Sequence, residues 1–162
     1  MEKYRKRHYA SFAQLRDDLK ELSKVKKIVK ANGEKDNIDD DFRERLMLAV
    51  TGVNDCSYCT YIHSKLALKS GVNKNELCLL LEGKFDNCPE DQIPAILYAQ
   101  HWADSNANPS EEAKQKLVEA YGEKKSANIE MYLRMIRLGN LSGNTFDWLL
   151  YKLSRGKIGL KK

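Results

Sequence analysis

Apolar side chains recur along this chain at the three- and four-residue spacing of helices, and no segment alternates apolar and polar positions as a half-buried strand would. The first such stretch runs from Ser11 to about Val29 and sets Phe12, Leu15, Leu19 and Leu22 on one side. A polar loop over 31–37 follows. A second helix opens near Phe42 and aligns Phe42, Leu46, Ala49, Val50 and Val53; Asp41 is its expected N-cap, and Glu44 stands where a capping-box carboxylate would. Gly52-Val53-Asn54-Asp55 breaks that helix. A third continues to about Ser70, with Gly71 as the residue that ends it. Asn73 and Glu76 open a short apolar helix over Leu77 to Leu81. Pro89 suits the first turn of a fifth helix carrying Ile93, Ile96 and Leu97. Ser110 caps a sixth, with Ala113, Leu117, Val118 and Tyr121 aligned. The last helical region runs from about Ser126 to Leu153, with Gly139 or Gly143 as the candidate interruption. The pattern predicts an all-α protein. With no low-complexity linker and no clear repeat, residues 1–162 are expected to form one domain.

Composition narrows the class. Hydrophobic residues make up 42% and charged residues 31%, a globular mixture. The longest apolar runs, such as Leu46 to Val50, are too short to cross a membrane, and the basic N-terminal residues precede no apolar stretch of signal-peptide type. The expectation is a cytoplasmic protein with no membrane partner. The net charge of +5 is dispersed among Asp and Glu. Basic runs at Lys24 to Lys30 and at Lys152, Arg155, Lys157, Lys161 and Lys162 read as solvated faces, so no nucleic-acid partner is expected.

Four cysteines then change the picture. In a reducing compartment, clustered cysteines are more often catalytic or metal-binding than structural. Cys56, Cys59 and His63 are offset by three, four and seven residues, so a helix projects all three from one face. Cys56 falls in the first turn, where unpaired N–H groups and the helix dipole favour a thiolate. Two sulfurs three residues apart can close a disulfide without remodelling the helix, which makes a two-electron switch. His63 can take or return a proton. Glu44, on the preceding helix, reaches the sulfur and imidazole if the two helices form a hairpin across Gly52 to Asp55.

These residues carry a resemblance. The spacing Glu44, Cys56, Cys59, His63, with Arg45-Leu46-Met47-Leu48-Ala49-Val50-Thr51 before the cysteines and His63-Ser64-Lys65-Leu66-Ala67-Leu68-Lys69-Ser70-Gly71 after them, is similar to the Glu-X11-Cys-X2-Cys-X3-His signature of the alkylhydroperoxidase AhpD-like group. That group lies within the carboxymuconolactone decarboxylase-like superfamily. The resemblance covers about 41–151 and is densest through Leu81. It implies an all-α fold with the site on a helical hairpin, and homo-oligomers, often trimers or hexamers. It also implies an antioxidant activity: hydroperoxide reduction through a sulfenic acid and a redox-active Cys56–Cys59 disulfide, recycled by a dithiol reductant of thioredoxin-like or lipoyl type. No metal or separate cofactor is implied. Cys59 resembles the peroxide-attacking cysteine and Cys56 the more accessible resolving one, whereas the dipole argument favours Cys56 as the attacking thiolate.

Tyr58 stands where the founding peroxidases have a second histidine, and a neutral phenol does not relay protons near pH 7 as imidazole does. It can support the site by donating a hydrogen bond, or it can simply pack. Two other readings of the motif therefore stay open. One is a disulfide reductase, acting on a protein or small-molecule disulfide, with little peroxidase activity. The other is a zinc-binding or purely structural helical oligomer, with His63 as third ligand and Cys78, Cys88 or His101 as fourth. Cys78 reads as a small core residue, Cys88 as an exposed turn residue, and Trp102 and Trp148 as core or subunit contacts.

Overall fold

The computed structural model of the protein describes residues 4–32 and 38–158. Among them are six helices and no strand: α1 (Phe12–Ala31), α2 (Asp40–Asn54), α3 (Ser57–Lys69), α4 (Lys74–Leu81), α5 (Ile93–Asp104) and α6 (Glu111–Leu153). The all-α expectation holds. No helix among the described residues is long and apolar enough to cross a membrane.

Helix α2 is the centre of the packing, in contact with α3, α4, α5 and α6. Every side chain from Glu44 to Thr51 is buried, so its surroundings are protein on all sides and its sequence shows no clean polar stripe. Leu46, Leu48 and Val50 are fully enclosed and join Ala95, Ile96 and Trp102 of α5 and Ile129 and Leu133 of α6 in the core. Each buried aliphatic side chain contributes on the order of 2 kcal/mol relative to exposure.

Local signals decide most helix ends. Ser11, Asn73 and Ser110 cap α1, α4 and α6 by accepting from the backbone N–H three residues on. Gly71 ends α3 with φ +104, a conformation that favours glycine. Several expectations are corrected. Of the expected face Leu22 is buried, but Phe12 is 80% exposed and Leu19 47%, because α1 packs through Leu22 together with Val25. The N-cap of α2 is Asp39; Asp41 lies inside the first turn, where its carboxylate meets Arg45. Helix α5 starts at Ile93 with Pro94 in its first turn, and Pro89 belongs to the preceding turn. Ala31 and Asn32 close α1, and the rest of the expected polar loop, 33–37, lies outside the described residues, as do Lys161 and Lys162. Gly139 and Gly143 interrupt nothing. The break in α6 is Gly122 (φ 74, ψ 163), which separates the two helical stretches expected on either side of it.

One buried ion pair ties α2 to α4. The Arg45 guanidinium donates to both carboxylate oxygens of Glu76, to Asp41, and at 3.1 Å to Gln92. Arg45 and Glu76 are 5% and 4% exposed. Breaking such a pair by removing one partner leaves an uncompensated buried charge. Arg45→Met is therefore expected to lower unfolding free energy by about 3–5 kcal/mol, and adding Glu76→Leu to recover much of it. Urea unfolding of the single and double variants checks this; a double variant no more stable than the single one contradicts it.

Candidate active site

The site forms where the chain turns from α2 into α3. Asp55 takes the left-handed conformation (φ 55, ψ 46), which Asp tolerates better than most residues, and Cys56 then stands as the N-cap of α3. Its sulfur accepts from the Cys59 backbone N–H at 3.4 Å. The same turn of helix brings the two sulfurs to 2.8 Å from each other, both as free thiols.

The two sulfurs are electrostatically unlike. The Cys56 thiol is held down to about 7, first by the hydrogen bond from Cys59, then by the α3 backbone N–H and the Lys6 ammonium; burial and Asp147 oppose this. Cys59 is pushed up, mainly because it keeps the proton it donates to Cys56 and because it is buried, while a hydrogen bond from Asn140 pulls the other way. The reduced pair therefore favours the thiolate on Cys56 and the proton on Cys59. Cys56 is 2% exposed and Cys59 6%, so the expected greater accessibility of Cys56 is not found. Gly143 of α6 packs against its sulfur, and Lys6 bonds to the neighbouring Ser57.

Across the hairpin, His63 Nδ1 lies 2.7 Å from Glu44 Oε2. Glu44 is 2% exposed, and its other oxygen accepts from Arg43 Nε at 3.4 Å. This explains the residue better than the expected capping box does. Its carboxylate turns to the imidazole and away from its own backbone. A carboxylate accepting from Nδ1–H fixes the neutral imidazole with Nε2 unprotonated and steadies the imidazolium when a proton arrives. His63 lies one helical turn after Cys59 on the same face of α3.

Helix α6 supplies the wall that sequence reasoning missed. A Cβ at Gly143 would stand 3.2 Å from Cys56 Sγ, and one at Gly139 4.0 Å from Cys59 Sγ. The adjacent asparagines bind the hairpin: Asn140 donates to Thr51 Oγ1 and accepts from Asn54 Nδ2, both at 3.1 Å, and Asn144 donates to the Asn54 carbonyl at 2.7 Å. Thr51, Asn54, Asn140 and Asn144 are all fully buried. The available signal was the repeated Gly-Asn at 139–140 and 143–144, four residues apart and so on one helix face.

The structure brings Cys56 to Cys59 and Glu44 to His63. It does not bring Tyr58 to them: that ring is 70% exposed. Cys78 is exposed and Cys88 is 7% exposed, the reverse of the expectation for each, because Cys88 tucks beneath the Arg45–Glu76 pair. Trp102 is fully buried in the core, as expected, and the half-buried Trp148 stacks on His8 at 5.1 Å. Among the described residues, no three His, Cys, Asp or Glu side chains gather to hold a metal ion, so Cys78, Cys88 and His101 do not complete the proposed zinc set.

Neither a curated protein sequence nor a solved structure matches the chain significantly. The sequence profile of the carboxymuconolactone decarboxylase family does match, over residues 21–104, more than half of the chain. The matched span begins earlier than the expected 41 and stops before α6. With α2 to α5 and all of Glu44, Cys56, Cys59 and His63 inside that span, the chain belongs to the carboxymuconolactone decarboxylase family.

Proposed function

We propose that this protein is a dithiol–disulfide oxidoreductase that reduces hydroperoxides, cycling Cys56 and Cys59 between dithiol and disulfide. The observation that carries the reading is the sulfur pair itself, 2.8 Å apart, with a favoured thiolate at Cys56. A paired carboxylate and imidazole on the same hairpin supplies the proton chemistry.

The Cys56 thiolate attacks the distal oxygen of the hydroperoxide. The proton that Cys56 loses on ionising passes to His63 Nε2; an S–O bond forms, the O–O bond breaks, and the departing alkoxide takes that proton from the imidazolium to leave as alcohol. Cys59 then attacks the Cys56 sulfenic acid. The S–S bond forms and the S–O bond breaks. The Cys59 proton passes to the departing hydroxide, through His63, and water leaves. A dithiol donor reduces the disulfide by exchange and is itself oxidised. The resemblance gives the first attack to Cys59. The N-cap position, the Cys59 proton and Lys6 together favour Cys56, and the proposal follows them.

Burial supports a small oxidant. A hydroperoxide needs little space, whereas a protein disulfide has to reach sulfurs that are 2% and 6% exposed. By the same argument a lipoyl-type dithiol on a slender arm suits the recycling step better than a folded thioredoxin-like protein. The exposed Leu66 and Leu68 of α3 and Phe146 and Leu149 of α6 are apolar side chains that a homo-oligomer would cover, the trimer or hexamer of the resemblance included.

Reduced protein mixed with hydrogen peroxide or an organic hydroperoxide is expected to lose the Cys56 and Cys59 thiols together. Exposed Cys78 serves as the internal reference, read by peptide mass spectrometry. Oxidation of the pair no faster than Cys78 rules peroxide out. Rapid oxidation by a small disulfide alone would then make the protein a disulfide reductase. Because the thiolate is the nucleophile, the peroxide rate at Cys56 is expected to rise with pH through about 7 and then level. His63→Gln is expected to slow peroxide turnover by roughly 10²-fold or more without preventing oxidation of the pair by a small disulfide. Equal loss in both assays contradicts the proton-transfer role.

A further inference from the structure

Residues 4–10 run past the start of α3 and are fastened to α3, α5 and α6. The Tyr4 hydroxyl donates to the Asn144 carbonyl at 2.7 Å, and Asn144 donates back to the Arg7 carbonyl at 2.8 Å. Arg7 reaches the Ala103 carbonyl at the end of α5, and the Tyr9 N–H donates to Thr145 Oγ1 at 3.0 Å. Between these anchors, Lys6 Nζ donates to Ser57 Oγ at 2.7 Å. Ser57 is the first residue of α3 and the neighbour of Cys56.

The Lys6 side chain is only 8% exposed. An ammonium withdrawn this far from water needs an anion, and a serine hydroxyl is not one. The carboxylate paired with it, Asp147 Oδ2, stands 3.7 Å away on a side chain 36% exposed, a loose and wet partner. The group that remains is the sulfur beside Ser57. We propose that Lys6 is a positioning residue for Cys56: it brings a nearly buried positive charge to the start of α3 and holds the adjacent sulfur as thiolate in the reduced enzyme. This rests on the dithiol reading above and adds to it a residue outside the family-matched span. The other charged and titratable groups acting on Cys56 or on the segment over it are Cys59 from α3, Asp147 from α6, Asp55 from the α2–α3 turn, and Tyr4. Asp147 opposes the thiolate and Lys6 favours it.

The test is the pH dependence of iodoacetamide labelling of Cys56 in the reduced full-length protein, read by peptide mass spectrometry. Wild type and Lys6→Arg are expected to share a midpoint near 7. Lys6→Met is expected to raise it by roughly 0.5–1, so that labelling below the midpoint slows about three- to ten-fold. Asp147→Asn is expected to move it the opposite way. Tyr4→Phe, which loosens the segment without touching a charge, is expected to leave it unchanged. A Lys6→Met protein that labels faster at every pH with an unmoved midpoint would show that Lys6 merely fastens the segment, and would overturn the proposal. So would an Arg variant that shifts as far as the Met variant. The midpoint needs no turnover; failure of the dithiol reading would appear separately, as no Cys56–Cys59 disulfide after oxidation.

Discussion

The sulfur of Cys56 occupies the place at the start of α3 that oxygens of Ser11, Asn73 and Ser110 occupy at the starts of α1, α4 and α6. A hydroxyl or amide cap is worth about 1 kcal/mol, and a neutral thiol accepts more weakly than either. A thiolate accepts well and also gains from the helix dipole. The local stability of this helix start is therefore linked to the charge on one sulfur. Any group that favours the thiolate also favours the capped helix. The Cys59 backbone N–H, the Cys59 thiol and Lys6 all act on that single atom.

The polar contacts behind the sulfurs follow from that position. A hairpin that ends on the two sulfurs cannot be held by apolar packing alone at its tip, because Asn54 and Thr51 are fully buried there and need hydrogen-bond partners. Asn140 and Asn144 of α6 take over that role. Gly143 lets α6 come close enough to do it, at the cost of helix propensity, about 1 kcal/mol relative to alanine. The close approach also helps to bury the pair, and that burial opposes the thiolate that Cys59, the α3 backbone N–H and Lys6 favour.

The core of this arrangement was legible in the sequence because it is local. Cys56, Cys59 and His63 lie on one helix, where spacing alone fixes the face, and Glu44 lies on the adjoining helix at the distance a hairpin requires. All-helical class followed from periodicity for the same reason. What was not legible depends on contacts between distant segments. Lys6 and Asn140 reach the site from opposite ends of the chain, and no spacing rule relates either to Cys56. Asp41 looked like a cap because nothing in the local pattern shows that Arg45 would claim its carboxylate. Cys78 is exposed because α4 buries Glu76, Leu77 and Leu80 instead, and Cys88 is buried because it lies against the Arg45–Glu76 pair, which two separate helices assemble. The glycines of α6 looked like breaks because propensity is a statement about isolated helices. At Gly143 a neighbouring sulfur, absent from any local window, takes the space that a side chain would need.

Covering both sulfurs constrains the proposed reaction cycle. A thiolate with a midpoint near neutrality is prone to indiscriminate exchange if it is open to solvent, and the segment over Cys56 limits that. Yet the electrons that restore the dithiol have to arrive through a thiol that touches one sulfur of the disulfide. When the disulfide forms, Cys56 loses its charge, and Lys6 is left with Ser57 and Asp147 as partners. An interaction that favours the thiolate when the segment is docked must, by reciprocity, favour docking when the thiolate is present. The segment is then held more tightly over the dithiol than over the disulfide. In the proposed cycle that asymmetry keeps the segment closed around the dithiol while it waits for a small oxidant, and makes it easier to open once the oxidised pair awaits its reductant.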